Sequence, residues 1–288
     1  MYVIAGVSGN TGSVAANTLL AAKQPVRVIV RDAAKGEPWK SKGAEVAIAS
    51  LDDRAALARA LAGAKGAYLL LPPSSWVATD IAADRARLTT ALLGAVRDAR
   101  PDHVVLLSSI GANHASGTGP IQYIHPIEAG LREANIPSTF LRAGFFMENW
   151  VGMAQGAIDA GTLYYGMRGD RPLPQVGTPD IGRTAARLLV EGAPSGTRIV
   201  ELAGPADLTL QEVADTLGKI AGKPIAAVTV PPQATIEALR GMGASAEIAA
   251  MYAELTVAFN DGLLAWEGKE LVRGTVTLEQ RLRELLAK

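Results

Sequence analysis

The stretch that most constrains this chain is its opening one, Val3-Ile4-Ala5-Gly6-Val7-Ser8-Gly9-Asn10-Thr11-Gly12. A short apolar run stops at a glycine, and three glycines recur at intervals of three. An Ala/Leu-rich helical pattern then runs from Val14 to Ala22. This order predicts a strand, a tight turn and a helix. Gly6 would turn the chain out of the strand, Gly9 would let the backbone approach a pyrophosphate, and Gly12 would let the helix sit close to the sheet. The free N–H groups and positive end of the helix would then hold the anion. A purely structural turn fits the same glycines, so the remaining segments must decide.

They alternate. The β-branched run Pro25–Arg31 is a strand ending in the charged pair Arg31-Asp32, where a dinucleotide fold reads the adenosine ribose. An acid there bonds the free hydroxyls, whereas an arginine accommodates a 2′-phosphate. Arg31, with Lys35 nearby, favours NADP(H) over NAD(H), and Asp32 keeps the NAD reading open. Strands are also expected at Ala44–Ala49, Ala67–Leu71, Val104–Ser109, Pro137–Arg142 and Arg198–Leu202. Between them lie a helix capped by Asp52 and Asp53, a long helix from about Thr79 to Ala99, and one from Pro126 to Ala134. Strands separated by helices require a parallel sheet with right-handed crossovers. The expected fold is therefore α/β, a doubly wound parallel sheet. The Gly/Ser/Asn-rich loop 110–119 follows a strand end, where such sheets keep their sites.

Beyond Trp150 the alternation loosens. Thr178-Pro179-Asp180 reads as a helix start with Thr178 capping, and Thr209-Leu210-Gln211-Glu212 as a capping box. The stretch 230–288 reads as mostly helical. The expected division gives 1–149 and about 175–205 to a Rossmann domain. Residues about 150–174 and 206–288 would form a small, discontinuous substrate-binding lobe.

The bulk numbers exclude several classes. Lys+Arg and Asp+Glu both number 28, so the net charge of zero points to neither nucleic acid nor an anionic membrane as partner. No cysteine is present, which rules out disulfides, thiolate catalysis and zinc–thiolate sites. His103, His114 and His125 are too scattered to suggest a metal site. Met1 leads straight into a strand, and no apolar run approaches ~18 residues, so a cytoplasmic protein is expected.

Taken together, the opening block, Val-Arg-Val-Ile-Val-Arg at 26–31 and Leu-Leu-Ser-Ser-Ile-Gly-Ala at 106–112 resemble the NmrA-like branch of the atypical short-chain dehydrogenase/reductases. So do Ile136–Trp150, containing Phe-Met-Glu-Asn, and Thr178–Gly182, Thr-Pro-Asp-Ile-Gly. That branch includes NAD(P)H:quinone oxidoreductases, triphenylmethane reductases and catalytically silent redox sensors. The resemblance implies a Rossmann domain, a small C-terminal lobe and a cleft between them. It places Gly6, Gly9 and Gly12 in the phosphate turn, with Ser8, Asn10 and Thr11 as side-chain contacts and Arg31 at the 2′-phosphate. Asp52 would approach the adenine or simply cap its helix. Leu71 and Pro72 would line the cofactor, with Ser108, Gly144 and Phe145 near the nicotinamide.

The departure is catalytic. Alcohol–carbonyl interconversion in short-chain dehydrogenases uses Tyr-x-x-x-Lys, and none of the six tyrosines here has Lys four residues on. Where several relatives carry Lys or His, this chain has Ile124, with His125 beside it. Pro126 disfavours helical geometry at His125, leaving it either a cap turned into the cleft or a surface residue. Two readings stand. One is an NADPH-dependent reductase of an electron-poor acceptor such as a quinone, with Tyr123, Phe146 and Trp150 (and Trp76 as a further candidate) walling a flat aromatic substrate. The other is a non-enzymatic NADP(H) sensor acting through a protein partner. A homodimer is compatible with either.

Overall fold

The computed structural model describes residues 1–287. Eight strands form one all-parallel sheet: β1 (Tyr2–Ile4), β2 (Val26–Val30), β3 (Glu45–Ile48), β4 (Gly66–Leu70), β5 (Val104–Ser109), β6 (Ser138–Ala143), and two more described below. Helices α1 (Asn10–Ala21), α2 (Ala33–Lys40), α3 (Arg54–Leu61), α4 (Ile81–Ala99) and α5 (His125–Glu133) make the crossovers. A two-residue β7 (Phe145–Phe146) leads through a 3-10 turn, Met147–Trp150, into α6 (Val151–Ala160) and β8 (Thr162–Tyr165). Next come β9 (Gln175–Val176), α7 (Thr178–Glu191) and β10 (Thr197–Ala203). The chain closes with α8 (Leu210–Ala221), β11 (Ala226–Thr229), α9 (Pro232–Gly241), α10 (Ala246–Asp261), β12 (Glu270–Arg273) and α11 (Leu278–Leu286).

The large sheet runs β12-β10-β6-β5-β4-β1-β2-β3. Buried on both faces, its central strands read as continuous apolar runs: Val3, Val28, Leu69 and Leu106 are wholly inaccessible. One face packs on α1 and α7 through Ile4, Leu19, Ile181 and Leu189, and the other on α3, α4 and α5 through Leu57, Leu92 and Leu131. A third core, around Trp150, Leu163, Val213 and Phe259, belongs to α6, β8, α8, α10 and α11.

Several local expectations shift. α1 begins at Asn10 rather than Val14, because Gly9 itself serves as N-cap and Ser13 N–H already bonds Gly9 O at 3.4 Å. Asp53, not Asp52, caps α3, accepting Ala56 N–H at 2.9 Å. Thr178 is the first residue of α7 and Gly177 its cap, so the Thr178 N–H is free to reach Glu148 at 3.0 Å. The Thr209/Glu212 capping box opens α8 as expected. β12, inside the stretch expected in the small lobe, returns to the large sheet and pairs with β10 from Val200–Glu270 to Ala203–Arg273.

Candidate functional site

In a parallel sheet every strand ends at the same edge, and strand order becomes position along that edge. Asp52 follows β3, Arg31 ends β2, Gly6–Gly12 follows β1, Leu71-Pro72 follows β4, Ser108-Ser109 ends β5 and Gly144-Phe145 follows β6. With neighbouring strands about 4.8 Å apart, these segments form a ledge spanning roughly 24 Å. Residues scattered over more than ninety positions are thereby arranged in one row.

At its middle lies the glycine turn. Gly6 adopts φ +69°, a left-handed conformation that side chains with a Cβ resist. A Cβ on Gly12 would stand 2.5 Å from the carbonyl oxygens of Ala5 and Gly6, so only glycine lets α1 rest on β1. No side chain caps α1. The N–H groups of Asn10, Thr11 and Gly12 therefore have no intrahelical acceptor, and Ser8, Gly9 and Asn10 are exposed around them. This is a cradle for an anion, and it fits a dinucleotide pyrophosphate. Thr11 stands apart from its expected contact role. It is buried, and its hydroxyl accepts from Tyr68 Oη at 2.9 Å, fastening α1 to β4.

At the β2 end, Asp32 caps α2 by accepting Lys35 N–H at 2.9 Å, and its other oxygen lies 3.5 Å from Lys35 Nζ. Asp32 and Lys35 thus occupy each other. Arg31 is exposed and has no salt-bridge partner among the described residues. Beside it, Asp52 accepts from the Ser50 hydroxyl and lies 3.7 Å from Arg87; the Ser50 bond holds its carboxyl below the usual range.

At the β5–β6 end the expectations divide. Gly144 is a close-approach glycine: a Cβ would stand 2.6 Å from Pro174 O. Phe145 and Phe146 are half-buried, and because strand side chains alternate, Phe145 enters the lobe core while Phe146 joins the core under α1 and α7. Trp150 does not wall a cleft. It is 1% exposed, donates Nε1–H to Gln175 Oε1 at 3.0 Å, and packs between Phe145 and Tyr165 at ring separations of 5.1 and 5.0 Å. Ser108 is also turned away, 3% exposed and donating its hydroxyl to Glu128 Oε1 at 2.6 Å.

Glu128 was not anticipated as part of the site. Its carboxylate is wholly buried and also accepts Arg142 Nε at 3.0 Å, Arg142 Nη2 at 2.7 Å and Arg132 Nη2 at 3.1 Å. The sequence carried the signal. Glu128 stands on the apolar face of its helix beside Ile127 and Leu131, and Arg142 ends an otherwise uncharged strand. Buried charges at such positions are almost always paired.

His125 is the first residue of α5, one position earlier than expected for the helix. The 3-10 turn Gly119–Tyr123 delivers the chain already wound, and Ile127 and Glu128 N–H groups both bond Ile124 O, which outweighs the bias from Pro126. Its Nδ1 lies 3.0 Å from Ala112 O. A carbonyl only accepts, so Nδ1 carries the hydrogen and Nε2 is the nitrogen left for other partners. The other histidines differ. His103 is buried against Thr139 at 2.9 Å, and His114 lies 3.3 Å from Asn113.

The loop that follows Leu71-Pro72 is held from the lobe side. Loop 73–80 is tied to the α9–α10 corner: Ser245 N–H donates to Trp76 O at 3.0 Å, Trp76 Nε1–H to Met242 O at 3.3 Å, and Ile81 N–H to Glu247 at 3.0 Å. Tyr123 packs there with Ile81, Ile248 and Met251, and Trp76 meets Tyr252 at 6.1 Å. Burial, then Glu247 and Glu254, raise the Tyr123 phenol above its ordinary value, so it stays a hydrogen-bond donor.

The fold and this ledge are those of a dinucleotide-binding α/β protein whose chain also builds a separate core around Trp150 and Phe259. The NmrA-like family model matches residues 2–280, and the chain belongs to that family. It is 27% identical over 255 residues to an NAD(P)H azoreductase of Xenophilus azovorans, covering 88% of this chain and 86% of that one. It is 28% identical over 291 residues to quinone oxidoreductase 2 of Escherichia coli, covering 99% and 98%. The crystal structure of the E. coli NADPH-dependent quinone oxidoreductase complexed with NADPH superposes with a TM-score of 0.84 at 26% identity, over 99% of this chain and 100% of that one.

Proposed function

We propose that this protein is an NADPH-dependent reductase that passes a hydride to a flat, electron-poor acceptor of the quinone type. The observation that carries the reading is the single ledge on which an uncapped helix N-terminus, an arginine unpaired among the described residues and the Leu71-Pro72 and Gly144-Phe145 segments follow one another. Relatives named as quinone and azo reductases, matched over most of their lengths, support it.

NADPH, when bound, supplies the hydride. The chain's own work is to hold, orient and protonate. Asn10, Thr11 and Gly12 N–H groups would take the pyrophosphate, with Ser8 and Gly9 beside it. Arg31 would take the 2′-phosphate, and Lys35, already paired to Asp32, would add charge. Asp52 would face the adenosine, and Leu71, Pro72, Gly144 and Phe145 would hold the nicotinamide end. Tyr123 and Phe146, with Trp76, would contact the acceptor. His125, its Nδ1–H fixed on Ala112 O, would deliver a proton from Nε2 when charged. An electrophilic acceptor accepts hydride without a Tyr/Lys pair, which a simple ketone requires.

The test follows NADPH absorbance with a panel of quinones and titrates NADPH and NADH separately. Turnover is expected, with NADPH bound at least about tenfold more tightly and that advantage lost in Arg31→Ala, as removal of a charge-assisted phosphate contact implies. Equal affinities would remove the NADP(H) preference. Tight binding without turnover would favour the competing reading, a redox sensor, to which the missing Tyr-x-x-x-Lys pair lends weight.

A further inference from the structure

The two groups that make the His125 Nδ1–Ala112 O bond lie on segments joined through one buried carboxylate, that of Glu128. We propose that Glu128 is a positioning residue that fixes the tautomer and direction of His125; the role assigned to His125 in turnover rests on the reductase reading above.

Backbone bonds to Ile124 O wind the start of α5, but no side chain caps it. Ile124, its N-cap, contributes no side-chain bond, and Pro126 has no N–H to offer. What ties this turn to β5 and β6 is the Glu128 side chain, three residues after His125, bound to Ser108 and Arg142 as well as to Arg132 on its own helix. The acceptor of the His125 bond, Ala112 O, sits in the loop leaving β5, four residues after Ser108. Ser108 is itself bound to Glu128. Ala112 N–H returns to Ser109 O at 3.1 Å and Ile110 N–H crosses to Ala143 O at 2.9 Å, so little slack separates Ser108 from Ala112. Donor and acceptor of the imidazole bond thus hang on the same carboxylate.

The third arm reaches β6 and, through it, the segment before β12. Arg142 binds Glu128 with Nε and Nη2 and extends Nη1 to Glu267 at 2.5 Å; Gly144-Phe145 follows two residues later. One carboxylate therefore sets the histidine relative to the segment expected beside the nicotinamide. An ion pair placed only to strengthen the core would not need to join these three chain ends. The bond at one ring nitrogen fixes which nitrogen carries the hydrogen, and here that bond, to Ala112 O, depends on the segments Glu128 joins.

The chain has three histidines, so their nitrogen resonances are separable, and His125→Ala assigns the signal. Long-range 1H–15N spectra of the full-length protein at neutral pH should show His125 as a single Nδ1–H tautomer. In Glu128→Gln it should become a mixture. Ser108→Ala, which cuts only the β5 arm and keeps the charges balanced, should give an intermediate spectrum. With 1,4-benzoquinone, Ser108→Ala should lower kcat about tenfold with KM for NADPH within about twofold, as expected for lost orientation rather than lost binding. An unchanged tautomer in Ser108→Ala, or in a folded Glu128→Gln, would overturn the proposal. If His125→Ala turns over normally, the proton-donor role falls, and the spectra still decide whether Glu128 orients the ring.

Discussion

At the scale of single residues, burial separates groups that look alike in a sequence. His103 and His125 both border β5 or its neighbours and each has one ring nitrogen bonded, yet His103 is buried whereas His125 is half-buried. His103 is 1% exposed, and burial, aided by Arg198, pushes its imidazole down to about 4. The folded state therefore takes up this proton only near pH 4, whereas the unfolded chain takes it up near 6.5. The resulting stability is full above about pH 6.5 and is lost as pH falls toward 4, by about 2 kcal/mol between pH 6.5 and 5. Urea unfolding across that window should show this slope, and His103→Gln should flatten it. An unaltered slope in the variant would assign the dependence elsewhere. Glu128 and Arg142 make the complementary case: each is visible in the sequence as a charge out of place, and only the fold shows that they meet.

At the scale of elements, two glycines decide how helices dock. Gly12 brings α1 onto β1. Gly182 lets α7 cross α1, since a Cβ there would stand 2.5 Å from Val14 Cβ and 2.6 Å from Thr11 O. Gly12→Ala must displace backbone rather than a flexible side chain. It should cost roughly 2–4 kcal/mol and weaken NADPH binding, by chemical denaturation and titration respectively. Stability and affinity both within error of the parent would show that α1 shifts freely. The Phe-Met-Glu-Asn and Thr-Pro-Asp-Ile blocks also acquire a physical meaning here. Glu148 accepts Thr178 N–H at 3.0 Å and Arg281 Nε at 2.5 Å, and Asp180 accepts Thr275 and Val276 N–H at 2.9 and 2.8 Å. Both acids fasten the C-terminal segment to α7, so these blocks hold lobe and sheet together.

At the scale of the molecule, the end of the chain completes the large sheet. β12 covers β10, whose Val200 and Leu202 are wholly inaccessible, and α11 buries Leu282 in the lobe core while Arg281 meets Glu148. A chain ended after Gly262 would bare the edge of β10 and leave Glu148 without its arginine. It should aggregate in size-exclusion chromatography, as an unprotected apolar edge strand does. A monodisperse, folded product would show that β12 is dispensable.

The sequence alone determined the alternation of strands and helices, the glycine turn and the charged end of β2. Each follows from local causes: apolar period, glycine conformational freedom, and residue type at a strand end. It placed six segments along one edge of the sheet before any was seen together, because parallel strands must end at a common edge. It could not separate Trp150 as core from Trp150 as cleft wall, nor Ser108 facing a ligand from Ser108 bound to Glu128. Those depend on which face of an element meets which neighbour, and for Glu128, Arg142 and Glu267 the neighbours lie as far as 125 residues apart. Only the tertiary structure brings such groups within hydrogen-bond distance, and with them the geometry that surrounds His125.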